Sequence, residues 1–467
     1  MDSKKLLWVF IGTLLVLFIY FISLDGMLLW DEHAYMANAR NHLTQSYYTE
    51  DFRFPLLEFI VALTWTFTGE SVFAAQLLAV FFSLLLILFV YLLSKELMEE
   101  KYALIAALVT GLSSQLLFWG FRVYNDILGM VFVVMSIYFF FFFFNNRKKS
   151  AIGSNTLLFF AGACTGLVFL ARFPLVIIPG LFFAYFIYKK NLKGVLFASI
   201  GAGIPILAWM LDNFIRFGNP FYQFFEQARI VSEYSVYQSP ALLLGFFWET
   251  FSFSLLFLVP FLAYVFYAKK NQREILLLLT AALIVNLVFY LFFVDLKLER
   301  YLLVFIPLMA VCMALGLKFL VEKTRHYNMA VLVLLSALLL APILISSTYT
   351  FNDMAHDAYC TRDGAVKSSI AYVKENIEPG ELVVADTWVY YGFHANARIY
   401  NWSGGVDIDS ALRVHEPVFI IYTKHDGLDM PLEDFEDNPL LALDRVFEYP
   451  KCHHEVRVYV RNQTLSG

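Results

Sequence analysis

Charge is scarce in this chain: 16% of its residues are charged and 60% are hydrophobic, whereas a soluble domain carries roughly a quarter charged residues. Such a surplus of apolar side chains has no place in a water-soluble core, which excludes a soluble enzyme and a disordered protein. Four cysteines in 467 residues are too few for a disulfide scaffold. A net charge of −5 argues against a nucleic-acid partner. The sequence has no Walker A loop, no G-x-G-x-x-G and no nucleophile elbow, so an ATP-driven pump and a soluble-type hydrolase lack support. No H-x-x-x-H pair or carboxylate–histidine ladder occurs either. His453 and His454 are adjacent, which on a strand turns them to opposite faces. This set requires no metal, although carboxylates alone can recruit a divalent ion.

Long apolar runs take the place of these motifs. A helix needs about 20 apolar residues to cross the hydrocarbon core. Leu6–Leu24 and Ser71–Ser94 are free of ionisable residues. Lys4 and Lys5 precede the first run, but it is too long for a signal-peptide core and no A-x-A site follows, so it reads as a retained helix. The further expected spans are Tyr102–Trp119, Ile127–Phe144, Leu157–Ala171, Pro174–Tyr188, Gly194–Phe214, Ala241–Ala268, Ile275–Val294, Tyr301–Leu320 and Tyr327–Tyr349, eleven in all. With the N-terminus inside, inner loops hold 16 Lys and Arg and outer loops 8, the bias expected of cytoplasmic loops. An odd number of spans then puts the C-terminal segment outside. The outer loops carry both signs of charge, and chemistry is expected there.

Three outer clusters stand out. In the first loop, residues 25–70, Asp31 and Glu32 lie just past the first span, where an acidic pair is costly unless paired, wetted or used. Asp31 reads either as the N-cap of a following surface helix or as a catalytic carboxylate. Arg122 and Asp126 sit in RVYND, where Asp126 again suits a cap or a cavity wall. LKLERY at Leu296–Tyr301 brings Lys297 and Arg300 to a span end. Lys297 there reads as a snorkelling side chain and Arg300 as a partner of Glu299, or the segment is a phosphate clamp, for which Arg has the right planar fork. Arg53 and Arg172 are further candidates for that role.

Taken in order, WDEHAYMANAR, RFPLLEFIVALTWTFTGESVFAAQLLA, RVYND, WMLDNFIRFGNPFY and LKLERYLLVFIPLMA resemble the GT-C glycosyltransferases. The nearest branch contains the dolichyl-phosphate-mannose protein mannosyltransferases and the aminoarabinose transferases of lipid A. Two positions depart from that pattern: Arg53-Phe54-Pro55 stands where lysine and two prolines are usual, and Gln76 replaces a common arginine. The resemblance implies an all-α polytopic membrane domain of GT-C type over 1–350, followed by a small extracytoplasmic α/β domain over 351–467. It also implies inverting transfer of a sugar from a polyprenyl- or dolichyl-phosphate donor to a protein, lipid or glycan acceptor on the outer side of the membrane. Asp31 would be the base, Glu32 its assistant and Asp126 part of the same cavity. Arg300, with Arg53, Tyr301 and Arg122, would hold the donor phosphate. Transfer of a whole glycan or another head group is a second enzymatic reading.

The C-terminal segment is acidic, with 19 Asp plus Glu against 10 Lys plus Arg over 353–467. A helix is expected over Asp363–Asn376. Strands are expected at ELVVADTW, VFIIYTK, RVFEY and EVRVYVR. Trp388, Tyr390, Tyr391 and Trp402 suit either a core or a sugar-stacking face. Cys360 and Cys452 are a possible disulfide, and Asn401 and Asn462 begin sequons. A secondary transporter is the rival reading. It calls for paired halves and mid-membrane ionisable groups, neither of which is visible.

Overall fold

The computed structural model describes the chain except residues 1, 25–27, 147–150, 235–236, 325–328, 363, 386, 402–416, 425–431, 450–453 and 462–467. Trp402, Cys452, His453 and Asn462 lie outside the described residues, as do the side chains of Cys360 and Asn401, so the disulfide, sequon and fourth stacking residue stay expectations. In chain order the helices are α1 (Ser3–Leu24), α2 (Trp30–Asn41), α3 (Leu56–Thr68), α4 (Val72–Lys95), α5 (Glu100–Gly111), α6 (Ser114–Trp119), α7 (Asn125–Asn146), α8 (Ala151–Arg172) and α9 (Ile177–Tyr188). They continue as α10 (Leu192–Phe217), α11 (Tyr222–Tyr234), α12 (Pro240–Phe251), α13 (Leu258–Tyr267), α14 (Lys270–Phe292), α15 (Ile306–Lys323), α16 (Met329–Arg362), α17 (Ala365–Asn376) and α18 (Trp388–His394). The strands are β1 (Leu382–Ala385), β2 (Arg398–Asn401), β3 (Phe419–Lys424), β4 (Leu441–Tyr449) and β5 (His454–Arg461).

Among the described residues, eight helical stretches are long and apolar enough to span a membrane, where the sequence suggested eleven. Leu157–Ala171 and Pro174–Tyr188 fall within one stretch, Asn155–Tyr188. The expected span Tyr102–Trp119 is interrupted at Leu112 and Ser113, and the Ser113 hydroxyl caps α6, as serine does at a helix start. Tyr301–Leu320 divides into a 3-10 turn, Glu299–Val304, and α15, whose first turn holds Pro307. Proline at that position starts a helix, since its missing amide would have no partner there. Pro205 and Pro342, by contrast, lie inside α10 and α16.

The chain divides into two compact units. The first comprises Met1–Tyr20, Phe52–Leu57 and Gln76–Phe351. Its helices approach through glycine: a Cβ on Gly162 would stand 1.9 Å from the Ala198 carbonyl oxygen, and one on Gly201 would stand 2.1 Å from that of Phe159. Helix α8 therefore lies backbone to backbone on α10, the close packing that small residues allow where lipid supplies no hydrophobic drive. The phenylalanine run of α7 packs on α9 through Phe140 with Phe182 and Phe144 with Phe186, ring centroids 5.7 and 5.2 Å apart.

The second unit comprises Phe21–Asp51, Glu58–Ala75 and Asn352–Gly467. Its sheet has the order β2-β1-β3-β5-β4, parallel from β2 to β3 and antiparallel beyond. Alternation divides β1 between two cores: Val383 and Ala385 join Ile370, Val373 and Tyr391, while Val384 joins Tyr422, Phe435 and Tyr459 on the other face. The expected strand ELVVADTW is a strand only to Ala385, and Trp388, Tyr390 and Tyr391 then belong to α18. The first-loop segment docks within this unit. Tyr47 donates its backbone N–H to Asn396 Oδ1 at 3.1 Å, and the Tyr47 ring lies where a Cβ on Gly380, at φ +88°, would come within 2.7 Å.

Candidate active site

Glu32, not Asp31, caps α2. Leu29 is the N-cap residue, and its N–H donates to Glu32 Oε2 at 2.8 Å. Asp31 stands in the first helical turn, where a carboxylate is favoured by the helix dipole. The cap expected of Asp31 is corrected accordingly. The helix was also expected to lie on a membrane surface. Within the protein Glu32 through Ala39 are all buried, with α18 packed against Trp30 and His33 and with Asn38 bonded to Glu50 and Glu58. Trp30 meets Trp388 edge-on at 4.4 Å between ring centroids, and His33 meets Tyr390 at 4.5 Å.

His33 lies between that aromatic layer and His394. Its Nδ1–H donates to the Leu29 carbonyl at 2.9 Å, so its Nε2 accepts from His394 Nε2–H across 3.2 Å. Only a neutral ring accepts such a bond. Burial, reinforced by His394, holds the His33 pKa well below the usual histidine value. Burial first, then the nearby Lys374, Arg40 and Lys367 cations against the opposing Glu70 carboxylate, pushes His394 down from 6.5 to about 4. Arg40 is itself tied to Glu70, and donates to the Phe393 carbonyl at 2.7 Å.

A depressed folded pKa means that the unfolded chain binds the proton first. The stability of this unit is thus full above pH 6.5 and falls as pH drops toward 4, by on the order of 3 kcal/mol from His394. Melting followed from pH 7 to pH 4.5 is expected to decline less steeply in His394→Phe than in the wild type. Equal slopes would remove the pair as the cause.

In the other unit a second set of residues comes together. Helix α8 ends at Arg172, which is extended (φ −156°, ψ 93°), and the chain enters a 3-10 turn containing Pro174. That turn approaches α7 over Gly129, where a Cβ would stand 2.8 Å from Leu175 Cδ1. Arg172 Nη1 reaches Asp126 Oδ1 at 2.5 Å, with the carboxylate side chain 2% exposed. The Arg172 guanidinium also lies over the Tyr301 ring at 5.0 Å, and that of Arg300 over Tyr124 at 5.0 Å. Arg122, buried, lies over Phe118 and Phe121 at 4.6 and 5.2 Å. Asp126 is therefore an ion-pair partner rather than a simple cap. Lys297 is buried and its ammonium donates to the Val294 carbonyl. Arg53 belongs to the same unit, where Phe54 beside it meets Phe173 beside Arg172 at 6.2 Å between rings.

This unit thus joins Asp126, Arg172, Tyr301, Arg300 and Tyr124, a set of cations held against aromatic faces with one carboxylate. Such a group can receive an anion while fixing its direction. Asp31 and Glu32 belong to the other unit. Sequence reasoning gave Arg172 a minor place and missed Arg40, His33 and His394, whose meeting across 361 positions leaves no local signal. Among the described residues no group of three or more His, Cys, Asp or Glu is arranged to hold a metal ion.

A family model described as dolichyl-phosphate-mannose-protein mannosyltransferase matches residues 53–211, a segment with Arg53, Arg122, Asp126 and Arg172 but not Asp31 or Arg300. No curated protein matches the sequence. Among solved structures, ArnT from Cupriavidus metallidurans bound to undecaprenyl phosphate is similar over 100% of both chains, at 12% identity and a TM-score of 0.71. The archaeal oligosaccharyltransferase AglB from Archaeoglobus fulgidus, in complex with an inhibitory peptide and a dolichol-phosphate, is similar over 90% of this chain and 70% of its own. It does so at 14% identity and a TM-score of 0.57. The chain shares its fold with these proteins, and is itself mostly helical, with eight candidate membrane spans among the described residues and a small C-terminal sheet.

Proposed function

We propose that the chain is an integral-membrane inverting glycosyltransferase that takes a sugar from a polyprenyl- or dolichyl-phosphate donor and passes it to a protein, lipid or glycan. The observation that carries this reading is the buried Asp126–Arg172 pair, with Tyr301 and Arg300 beside it, in a fold shared over its full length with ArnT. A lipid-borne donor demands a membrane-embedded enzyme, and a departing lipid phosphate demands fixed cations. Arg300 and Arg172 supply them, with Arg53, Tyr301 and Arg122 as further contacts.

In the step itself, the acceptor hydroxyl oxygen attacks the anomeric carbon as the bond to the phosphate oxygen breaks. The lipid phosphate leaves with that electron pair, and the hydroxyl proton passes to Asp31. One displacement inverts the anomeric centre, unlike the two-carboxylate double displacement of retaining glycosidases. Glu32 keeps the first turn of α2, and so Asp31, in place. The membrane domain is taken as 1–350 and the second domain as 351–467, with most of the first outer loop packed in one compact unit with the latter. The test is transfer by purified protein from radiolabelled lipid-phosphate sugars to candidate acceptors. No transfer with any such donor, from protein that binds no lipid phosphate, would overturn the reading.

The positive charge of the inner loops supports a cytoplasmic N-terminus and an extracytoplasmic C-terminal domain. A cysteine at the exposed Glu375, in a chain whose four native cysteines are replaced by alanine, is expected to react with an impermeant maleimide from outside intact cells. Labelling only after the cells are opened would reverse the orientation.

A further inference from the structure

The segment WMLDNFIRFGNPFYQ, Trp209 to Gln223, has no part in the reaction just described, yet it holds a buried polar network. Helix α10 ends on Gly218 at φ +70°, a left-handed turn that glycine adopts without strain. The chain doubles back into α11, and Gln223 comes to face Trp209 and Asn213. All three are buried, Asn213 wholly so. Gln223 Oε1 accepts from Trp209 Nε1 at 2.7 Å and from Asn213 Nδ2 at 3.2 Å, while its backbone N–H donates to Asn213 Oδ1 at 3.3 Å. One donor group of the side chain is left for another partner: Gln223 Nε2 donates to the carbonyl of Arg53 at 3.0 Å.

That last bond matters because residues 51–55 form neither helix nor strand. A loop backbone without ladder or helix partners is held in part by buried side chains that reach it. The next residue is fixed as well. Phe54, where the resembling family has proline, is buried with its ring stacked on Trp209 at 5.8 Å and set against Phe169 at 5.7 Å. The two anchors share Trp209, whose ring face holds Phe54 and whose N–H holds Gln223.

We propose that Gln223 is a positioning residue for the donor phosphate: through the Arg53 carbonyl, and with Trp209 and Asn213 behind it, it sets where the Arg53 guanidinium meets the lipid phosphate. This rests on the phosphate role given to Arg53 above. Gln223 suits the task because one amide both receives the two fixing bonds and donates the third, which neither a carboxylate nor an aliphatic chain does. It replaces the stiffness that two consecutive prolines give a loop.

The test is the dissociation constant of undecaprenyl phosphate in detergent micelles for four full-length proteins: wild type, Gln223→Met, Arg53→Ala and the double variant. Methionine keeps the shape and gives up the amide. Gln223→Met and Arg53→Ala are each expected to weaken binding about tenfold, and the double variant no more than about twofold beyond Arg53→Ala, since coupled residues are not additive. Trp209→Phe, which keeps the ring and loses the N–H, is expected to weaken binding about threefold and to serve if Gln223→Met fails to fold. Losses that multiply in the double variant would overturn the proposal while leaving the donor reading intact, as would unchanged binding by Arg53→Ala. A wild-type protein that binds neither undecaprenyl nor dolichyl phosphate would instead count against the proposed function.

Discussion

Asp31→Asn is expected to lower turnover with a lipid-phosphate sugar by about 10³-fold, within the range a positioned general base contributes. The amide keeps the size of the carboxylate and cannot take the acceptor proton. Because Glu32 closes the helix cap, the substitution leaves α2 its start. The melting temperature and the affinity for undecaprenyl phosphate are therefore expected to stay as in the wild type. Glu32→Ala, by contrast, is expected to lower stability as well as turnover, since it leaves the Leu29 N–H without its carboxylate and loosens the start of α2, where Asp31 stands, by about 1 kcal/mol. Full transfer by Asp31→Asn would take Asp31 out of the chemistry, and a large loss of stability would mean that it holds the helix instead.

The second large effect concerns Asp126. Its carboxylate is buried on Arg172, and removing one member of a buried ion pair leaves the other charge without compensation. Asp126→Ala is expected to cost about 3–5 kcal/mol of stability, read as a lowered midpoint in denaturant or heat. Arg172→Ala alone strands the carboxylate in the same way. The double variant is expected to lose much less than the sum of the two single losses, because each single change pays for the orphaned partner. Strictly additive losses would show that the two side chains do not depend on each other. Either single variant is also expected to lose donor binding, since the cation that remains at Arg300 then faces a rearranged Tyr301 and Tyr124.

Much of this architecture was legible in the residues because it follows from local pattern. Uncharged runs marked the spanning helices, a continuous apolar run marked β3, RVFEY marked the second half of β4, and alternation marked β5. The errors have physical causes. The run TWVYYGFH has strand-like composition, yet it forms α18 because its aromatic residues have to cover α2 on one side and join the Ile370–Val373 core on the other. Tertiary demand overrode propensity there. Nothing local in α2, whose end carries Arg40 and Asn41, announces that α18 will pack against Trp30 and His33. Fewer single long helices stand out than the eleven expected spans because hydropathy does not register the break at Ser113, the 3-10 turn before Pro307 or the near-continuous run Asn155–Tyr188. Within the candidate site, acidic and cationic residues at span ends were readable as such. The pairing of Asp126 with Arg172 was not, because it depends on the turn at Pro174 meeting α7 over Gly129.

The docking of the first loop on the C-terminal segment ties two distant stretches of the gene together. Asn396, Gly380 and Gly392 are shaped to Tyr47 and Tyr48, and His394 to His33. A chimera that borrows the tail of a related protein has to borrow that protein's opening loop with it, since either piece alone inherits a surface cut for a different mate. Insertions and swaps in this architecture should accordingly be inherited as matched sets, with residues 28–51 travelling alongside 352–461.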